Sequence, residues 1–400
     1  MRRNHVTKQN DLLLLLKLMT TVITYDYIIL GAGASGLLLA YRMSQDPFFN
    51  DKSILIIDQT QDKGNDRTWC YWENGVGEWD AYLTKTWSSV FFGSQSFSKI
   101  IPISPFQYKM IRSDAFYKSL WTSVNSKSNF SFIEAVVDSF TELKSGVEVA
   151  TKTDTYFGAK LFNSLPNLEF YKSQNKYPLI HQHFVGWFVK TKVDSFDDSA
   201  ATIMDFSVPQ NGNTRFMYIL PIDKKTALFE YTLFSKELLK YSDYEKAIED
   251  YLRNKGIVDY EIIEKENGNI PMTSFKFNDL NSEHILNIGT AGGWTKASTG
   301  YTFMNTAKKT KEVVAFLKKE DDLSTFDKRT KYRFYDLIFL DVLAHHNNEG
   351  AALFASMFRK ADIKTIFRFL DEDSTLLEDL KIILSVPPKR FIQAFFKRLF

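Results

Sequence analysis

Runs of apolar residues separated by glycine-rich turns predict a protein that mixes strands and helices. Residues 27–30 form a short apolar run, residues 31–36 contain three glycines, and residues 37–43 have helical spacing. A second apolar run, SILIID, ends at residue 58, and a third run at 285–288 leads into another glycine-rich loop. Strands that alternate with helices in this way are typical of a parallel sheet.

The middle and the end of the chain follow different patterns. Residues from about 177 to 263 contain strand-like runs with turns between them, which predicts an antiparallel sheet. Within this region, ALFEYTLFS at 227–235 reads as a strand. Residues 326–400 have helical spacing, and Pro387-Pro388 is expected to end one helix before the last one begins.

The first glycine-rich turn has the spacing of a dinucleotide fingerprint. Gly31 permits the tight turn, Gly33 lets the backbone approach a pyrophosphate, and Gly36 lets the helix pack closely on the strand. Ala34 stands at the start of that helix, whose N-terminus would hold the pyrophosphate. Asp58 ends the second strand at about the expected spacing, roughly 20 residues, for the acid that binds the ribose hydroxyls. The motif therefore predicts a bound NAD or FAD.

The second glycine-rich loop favours FAD. Gly289, Gly292 and Gly293 follow the third strand, and Ser298 or Thr299 is expected to open the next helix. A second loop and helix N-terminus far along the chain are typical of a cofactor held at both ends. Glycines in such a loop let the backbone come near the flavin ring.

We therefore predict an α/β fold in which a Rossmann-type FAD-binding domain is interrupted by an antiparallel-sheet substrate domain and followed by a helical C-terminal region. Arg112, which opens a predicted helix, is either a cofactor contact or a surface cation. The predicted segments are a disordered extension (1–18), the first part of the FAD-binding domain (24–175), a sheet that roofs the substrate site (176–264), the second part of the FAD-binding domain (265–325) and the helical region with a basic amphipathic end (326–400).

Composition and charge narrow the possible ligands. Aromatic residues make up 15% of the chain and 35 of them are Phe, which suits either a Phe-rich core or a pocket for a large apolar ligand. The net charge of +2 gives no strong field toward nucleic acid, so no nucleic-acid partner is expected. Cys70 is the single cysteine, which fits a reducing cytoplasm. His181 and His183 have no third ligand nearby in the sequence, so no metal site is predicted.

One carboxylate interrupts an otherwise apolar strand. Glu230 stands between Phe229 and Tyr231 in ALFEYTLFS. Burial would keep such a carboxyl protonated, which suits a proton donor in a substrate site lined by the two rings. Because strand residues alternate between faces, Glu230 could instead point to solvent.

Charges and aromatic rings cluster in NDRTWCYWE at 65–73. One interpretation is a loop between cofactor and substrate, and the other is an aromatic loop that closes the core. In the first interpretation, Asp66 and Arg67 form a pair that positions the loop, and Glu73 is a second candidate acid. The rings that would line the substrate site are Trp69, Tyr71 and Trp72.

Four stretches together are specific. They are NDRTWCYWE (65–73), HQHFVGWFVKT with ATIMDFSVPQ (within 181–210), TRFMYILPIDKKTALFEYTLFS (214–235) and IGTAGGWTKASTGYTF (288–303). With the N-terminal fingerprint, they closely resemble the bacterial lycopene β-cyclase family of carotenoid biosynthesis, over roughly residues 24–400. One departure is Ala297, where many relatives carry Pro, and its absence loosens that turn.

The resemblance implies an enzyme that closes the linear ends of lycopene into β-rings, giving β-carotene through γ-carotene without net redox change. It implies reduced FAD as the cofactor, with NAD(P)H as the reductant. The functional glutamate of the family lies in the strand that matches ALFEYTLFS, so the role of the acid falls on Glu230. The alternatives are a flavin-dependent oxidoreductase, of the monooxygenase or prenyl reductase type, that acts on an isoprenoid, and a carotenoid-carrying protein without catalysis.

A carotenoid substrate resides in the bilayer, so the resemblance also implies a cytoplasmic protein that visits the membrane surface. No stretch reaches the roughly 18 apolar residues of a spanning helix. The sequence KRFIQAFFKRLF at 389–400 reads as a basic amphipathic helix, which either binds anionic headgroups or packs on the body of the protein. Other carotenoid enzymes are further candidate partners.

Overall fold

The computed structural model describes residues 24–326 and 330–399. The predicted disorder of residues 1–18 lies outside these residues. Within them, the chain forms a mainly parallel sheet, a mainly antiparallel sheet, a small three-stranded sheet and a helical C-terminal region. The predicted α/β fold class is confirmed.

Strands form where the apolar runs predict them, including the fingerprint strand, SILIID and ALFEYTLFS. In chain order the described strands are β1 (Thr24–Leu30), β2 (Ile54–Asp58), β3 (Thr68–Asn74), β4 (Leu83–Trp87), β5 (Ser89–Gly93), β6 (Ser98–Pro102), β7 (Phe106–Arg112), β8 (Phe130–Glu134), β9 (Val137–Leu143), β10 (Gly146–Thr151), β11 (Thr155–Asn163), β12 (Ile180–Thr191), β13 (Ala201–Asp205), β14 (Thr214–Pro221), β15 (Thr226–Ser235), β16 (Tyr260–Met272) and β17 (Ile285–Asn287).

Helices follow the fingerprint and Arg112 as predicted, and Pro387 lies between the last two helices, of which the second begins at Pro388. In chain order the described α-helices are α1 (Ala34–Gln45), α2 (Ser113–Asn125), α3 (Leu168–Ser173), α4 (Tyr241–Asn254), α5 (Phe303–Leu317), α6 (Lys331–His345), α7 (Gly350–Lys360), α8 (Ile363–Leu370), α9 (Leu376–Ser385) and α10 (Pro388–Leu399).

The first sheet carries the fingerprint strand near its centre. Its order is β8-β2-β1-β11-β10-β9, and β17 also pairs with β11. Strand β1 pairs in parallel with both β2 and β11, so the carboxyl ends of β1 and β2 meet at one edge. Ile29 packs against α1, α2 and α5 on one face, and Ile28 and Leu30 pack against β10 on the other. This burial on both faces explains the continuous apolar run of β1.

The second sheet has the order β16-β12-β15-β14-β13-β5-β6. Strand β12 has β15 and β16 as antiparallel neighbours on its two sides. Alternate residues of β15 face opposite ways: Phe229 and Leu233 pack against α4, whereas Leu228 and Phe234 face the helical C-terminal region. A small sheet of order β3-β7-β4 lies beside these layers.

Two predicted domain boundaries differ from the structure. Strand β16 belongs to the second sheet along its whole length, whereas the sequence predicts a boundary at 264/265. Strands β5 and β6 also join the second sheet, although they fall within the predicted first part of the FAD-binding domain. The reason is that β5 pairs in parallel with β13, far along the chain, and local periodicity does not reveal such a pairing.

The helix after the late glycine-rich loop begins later than predicted. Helix α5 begins at Phe303 rather than at Ser298 or Thr299. The peptide N–H of Gly300 donates to the carbonyl of Lys296, and residues 296–301 form a turn instead. Gly300 has a φ of +74°, which lies outside the helical region.

Candidate active site

A cavity of about 1390 Å³ runs from the fingerprint to the helical C-terminal region. At one end it is lined by Gly31, Gly33, Ala34 and Asp58, which the sequence assigns to the cofactor. Its middle is lined by residues of the NDRTWCYWE stretch, the second sheet and the late loop. At its other end it is lined by apolar residues of α6–α10. One continuous space therefore joins a nucleotide end to an apolar end.

The fingerprint glycines have the geometry that a dinucleotide site needs. Gly31 adopts a φ of +87°, which favours glycine. A Cβ at Gly36 would lie 1.8 Å from the carbonyl oxygen of Gly31, so Gly36 serves close packing and does not line the cavity. A Cβ at Gly33 would meet no heavy atom of the described residues within 4 Å. The N-terminus of α1 therefore opens onto free space that a pyrophosphate fits.

Asp58 stands at the end of β2, beside the fingerprint. Its carboxylate accepts a hydrogen bond of 2.5 Å from the peptide N–H of Ala32 and one of 2.9 Å from the Lys63 ammonium. Asp58 and Lys63 both line the cavity. A carboxylate held in this way, with its face toward the cavity, fits the hydroxyls of a ribose.

The late loop approaches the cavity through residues other than its predicted glycines. A Cβ at Gly289 would lie 2.2 Å from the Ser35 hydroxyl oxygen, and Gly293 packs on the ring of Phe277. Gly289, Gly292 and Gly293 therefore shape the loop and do not line the cavity, and their contact with the cofactor stays a prediction. The residues of this loop and its following turn that do line the cavity are Thr290, Ser298, Thr299, Gly300, Tyr301, Thr302 and Phe303.

Arg112 lies outside the cavity. Its guanidinium forms an ion pair with Glu264 and lies 4.1 Å above the ring of Phe188. One of its N–H groups also donates to the Thr68 hydroxyl, at 3.4 Å. The two alternatives predicted for Arg112 were a cofactor contact and a surface cation, whereas the structure places Arg112 as a partly buried cation on the same face of β12 and β16 as Glu266.

Glu230 faces the cavity. It is buried, with 8% of its surface exposed, and it accepts a hydrogen bond of 2.7 Å from the Thr232 hydroxyl. Burial and, to a smaller extent, the neighbouring charge of Glu266 raise the pKa of the Glu230 carboxyl to about 8, although the hydrogen bond from the Thr232 hydroxyl opposes this rise. Glu230 is therefore a carboxyl that holds its proton near neutral pH against an apolar space.

Phe229 and Tyr231, predicted to line the substrate site, do not. They point to the opposite face of the second sheet, where they pack against α4. Because side chains of a strand alternate, a strand that directs Glu230 into the cavity must direct both of its neighbours away from it. Phe234, on the same face as Glu230, lines the cavity instead.

The NDRTWCYWE stretch divides between cavity and core. Trp69 and Trp72 line the cavity, as do Asp66 and Arg67. Tyr71 instead stacks on Phe303, with ring centroids 5.3 Å apart, in the core beside α5. Asp66 and Arg67 do not form the predicted carboxylate pair: the Arg67 guanidinium donates to the main-chain oxygen of Asp66. The carboxylate of Asp66 accepts a hydrogen bond from the Ser113 hydroxyl instead.

Glu73, the predicted second acid, is engaged away from the cavity. It accepts a hydrogen bond of 2.9 Å from the ammonium of Lys109, which also donates to Asp80 at 2.6 Å and to the carbonyl of Gly75 at 2.8 Å. Lys109 is fully buried. Glu73 thus neutralises a buried cation and does not stand where it could reach a ligand in the cavity.

Three tyrosine hydroxyls form a hydrogen-bonded cluster near Glu230, and two of the tyrosines, Tyr218 and Tyr301, line the cavity. The hydroxyls of Tyr108 and Tyr218 lie 2.7 Å apart, and those of Tyr108 and Tyr301 lie 3.2 Å apart. Tyr218 is the register partner of Glu230 on β14, so the two side chains share a face. Burial raises the pKa of each tyrosine, which keeps these hydroxyls neutral. Neutral rings and hydroxyls of this kind can stabilise a passing cation without trapping it.

The sequence matches a family described as lycopene cyclase protein, over residues 26–395. The chain belongs to the lycopene cyclase family. No curated protein matches its sequence.

Solved flavoenzyme structures share the fold of this lycopene cyclase family member. A geranylgeranyl bacteriochlorophyll reductase-like protein from Thermoplasma acidophilum has a TM-score of 0.65 at 12% identity, over 93% of this chain and 98% of that one. The flavin-dependent brominase Bmp2 has a TM-score of 0.53 at 15% identity, over 94% and 99%. A flavoprotein/dehydrogenase from Cytophaga hutchinsonii has a TM-score of 0.54 at 10% identity, over 90% and 99%.

Two clusters of this lycopene cyclase family member were not predicted. Glu266 on β16 is buried beside Glu230, and Lys296 of the late loop is buried between Asp336 and Glu372, with both N–O distances 2.9 Å. Glu266 lies outside the apolar runs, and Lys296 lies in the late glycine-rich stretch but is not one of its glycines, so neither periodicity nor glycine spacing gives a signal for them. In the sequence, Glu266 of KENGNIPM and Asp336 of RFYDLIF are isolated charges.

Across residues 24–326 and 330–399, no helix combines the length and the apolar character that crossing a bilayer requires. In the same residues, no three His, Cys, Asp or Glu side chains are grouped so that they could hold a metal ion. His183 is instead hydrogen-bonded by Ser235 and Tyr244.

Proposed function

We propose that this protein is a lycopene β-cyclase, which isomerises each linear end of lycopene to a β-ring and gives γ-carotene and then β-carotene. The observation that carries the proposal is Glu230, a buried carboxyl that faces a long apolar cavity continuous with a dinucleotide site. Membership of the lycopene cyclase family supports a carotenoid as the substrate.

Glu230 is the proton donor of the proposed reaction. Its proton goes to the terminal alkene carbon, which leaves a tertiary cation on the substrate. The neighbouring double bond attacks that cation and closes the ring, and the ionised Glu230 carboxylate then takes a proton from the ring, which completes the isomerisation and restores the acid. One proton enters and one leaves, so no electron is gained or lost in the product.

The apolar cavity is the second requirement of this chemistry. Water would capture a carbocation, and the rings of Trp72, Phe234 and Tyr301 around the reacting end leave little polar surface. Burial raises the pKa of Tyr108, Tyr218 and Tyr301, so their hydroxyl cluster stays neutral, and the rings of Tyr218 and Tyr301 line the cavity.

FAD fits the nucleotide end through Gly31, Gly33, Ala34 and Asp58, with the late loop at the other end of the cofactor. Reduced FAD, regenerated by NAD(P)H, would supply an electron-rich ring beside the developing cation. The chain's own share is to hold the pyrophosphate at the N-terminus of α1 and the ribose at Asp58.

In the proposed function, the substrate enters the cavity from the cytoplasmic membrane surface, between α9 and α10. Ile383 and Leu384 of α9 and Ile392 and Phe396 of α10 line the cavity and are also exposed, so the apolar end opens between these helices. Lys381, Lys389 and Lys397 are exposed on the same helices and suit anionic headgroups.

Two arginines of α10 form ion pairs within the protein, whereas the sequence suggests that the basic residues of this helix bind anionic headgroups. Arg390 pairs with Glu349, and Arg398 pairs with Asp341 of α6. These pairs hold α10 on the body of the protein while its apolar residues remain exposed. In the proposed function, α10 therefore packs on the body of the protein through its arginines and contacts lipid through its exposed apolar residues.

The cyclase is tested by expression in a lycopene-accumulating bacterial host, with the pigments separated by chromatography. We expect β- or γ-carotene from the wild-type protein and at least about a hundredfold less from Glu230→Gln. Glu261→Gln, an exposed change on β16, is the matched control and should cyclise normally. Unchanged lycopene with folded, flavin-bearing wild-type protein would refute the cyclase, and stoichiometric use of NAD(P)H or O₂ would identify an oxidoreductase.

The membrane contact is tested by vesicle flotation of the purified protein. Leu376→Ser with Leu377→Ser removes two exposed apolar side chains of α9, and we expect several-fold weaker binding to anionic phosphatidylglycerol vesicles. Val193→Ser with Val258→Ser, exposed elsewhere, should bind like wild type. Equal binding of both double variants would reject α9 as the lipid contact.

A further inference from the structure

A second buried carboxyl accompanies Glu230 across one strand. Gly186 of β12 is the register partner of Glu230 on β15 and of Glu266 on β16. Register partners in antiparallel strands point to the same face, so both carboxyls lie on the cavity side of the second sheet. Glu230 is 8% exposed and Glu266 is 9% exposed.

Gly186 provides the space between the two carboxyls. A Cβ at this position would lie 3.1 Å from Cγ of Glu266 and 2.9 Å from a methyl carbon of Leu228. The Glu266 side chain therefore leans over Gly186, toward Glu230. Any larger residue at position 186 would occupy the space that brings the two acids near each other.

The two carboxyls have unlike surroundings. Glu266 accepts a hydrogen bond of 2.7 Å from the Thr68 hydroxyl, which in turn accepts one of 3.4 Å from Arg112. Glu230 accepts a hydrogen bond from Thr232 and otherwise faces the apolar cavity. The positive charge of Arg112 is therefore linked to Glu266 through Thr68, whereas the hydrogen-bond partner of Glu230 is a neutral hydroxyl.

This arrangement divides the roles of the pair, in a way that rests on the proposed cyclase. We propose that Glu266 is a positioning residue that acts through Glu230: it carries the negative charge of the pair and so keeps the catalytic proton on Glu230, the member that faces the substrate. Thr68 and Arg112 hold that charge on Glu266. After each turnover, the pair draws a proton back to Glu230 rather than leaving it ionised.

The causes of the pKa shifts differ between the two carboxyls. Burial raises the pKa of both carboxyls, but the hydrogen bond from Thr68 and the charges of Arg112 and Arg67 oppose the rise for Glu266. The charge of Glu266 adds to the rise for Glu230. The charge of Glu264 adds to the rise for Glu266, so the two carboxyls differ in the groups that oppose the rise: Thr68 and two arginines for Glu266, and Thr232 for Glu230.

The neighbouring titratable groups do not change which of the two carboxyls keeps the proton as the pH changes. Burial raises the pKa of the Cys70 thiol and of the tyrosines, which keeps them neutral, and Glu264 is paired with Arg112. The titratable and charged groups that surround the pair are Arg67, Cys70, Tyr108, Arg112, Tyr218, Glu264 and Tyr301.

The first test is the pH profile of cyclisation by the purified, reduced protein. Glu266→Gln removes the charge, so Glu230 should lose its proton at lower pH, and the alkaline limb should move down by about one pH unit or more. Glu261→Gln, on the same strand, should leave the limb in place. Cyclisation by Glu266→Gln with an unmoved alkaline limb would overturn the role of Glu266.

The second test needs neither substrate nor flavin turnover. Infrared difference spectroscopy of the wild-type protein should detect the carbonyl band of one protonated carboxyl, absent in Glu230→Gln, that titrates at lower pH in Glu266→Gln. Thr68→Val, which leaves both acids in place, should move that titration in the same direction by less, and it decides the matter if Glu266→Gln does not fold. A titration unchanged in both variants overturns the inference, whereas wild-type protein that shows the band but never cyclises overturns the proposed function alone.

Discussion

The Glu230 side chain is held in a protonation state that costs the protein stability. Its carboxyl keeps a raised pKa in the folded state, while the unfolded chain has the ordinary value. As pH rises between these two values, the unfolded state loses its proton first, so the free energy of unfolding falls. A functional group that weakens the fold in this way is typical of an active site.

Replacement of Glu230 by Gln should therefore stabilise the protein, and by more at alkaline than at acid pH. We expect a gain on the order of 2 kcal/mol at about pH 9 and little gain at about pH 4, below both pKa values. Urea unfolding at the two pH values measures the difference. A gain of equal size at both would show that Glu230 does not keep its proton in the folded protein.

Lys109 illustrates the opposite case, a buried charge whose partners are in place. Lys109→Met leaves Glu73 and Asp80 without their cation, and we expect a loss of about 3 kcal/mol in the free energy of unfolding. Lys118→Met, which removes a surface pair with Asp114, is the control and should leave the urea midpoint unchanged. Glu73→Gln should still cyclise lycopene, and loss of cyclisation in a folded Glu73→Gln protein would return Glu73 to the list of candidate acids.

Two glycines of the fingerprint have different roles: Gly33 leaves space for the cofactor, and Gly36 allows close packing. Gly33→Val places a side chain in the open space above α1, so bound flavin should fall about tenfold or more while the melting temperature of the flavin-free protein stays the same. Gly36→Ala meets the Gly31 carbonyl instead and should lower that melting temperature. Flavin absorbance and thermal unfolding after flavin removal measure the two effects, and a Gly33→Val protein with full flavin would disprove the assignment of the site.

Single elements were predictable where the signal lies in a short stretch of neighbouring residues. The β1–α1 turn, β2 and β15 follow from apolar runs and glycine spacing, and so does the position of Asp58. The lining of the cavity was not predictable to the same degree, because it depends on which face of a strand turns inward. That choice sends Glu230 into the cavity and Phe229 away from it, and it is set by α4, which packs on the other face of the second sheet.

The whole molecule brings three separate parts of the chain to one cavity. Lys296 of the late loop is buried between Asp336 of α6 and Glu372, which follows α8, and so ties the proposed cofactor end to the helical region. Such long-range pairs, like that of β5 with β13, leave no local trace in the sequence. They also mean that the site exists only when the helices are docked on the sheets.

One cavity with Glu230 at one position has a consequence for a substrate with two ends. In the proposed cyclase, each end of lycopene must reach the same acid, so the product of the first closure has to turn round, with its ring trailing toward the mouth between α9 and α10. A ring is wider than a linear end. The second closure should therefore be more sensitive than the first to the width of that mouth.

Ile383→Trp tests this consequence. Ile383 lines the mouth and is 46% exposed, so a larger ring there narrows the passage with little disturbance of the core. We expect the ratio of γ-carotene to β-carotene to rise several-fold, measured by chromatography of pigments at early times, because the monocyclic product re-enters more slowly. Leu377→Trp, on the same helix but 74% exposed and away from the cavity, should leave the ratio unchanged. If Ile383→Trp lowers both products in proportion, the two closures pass through the mouth equally easily, and the trailing ring does not lie there.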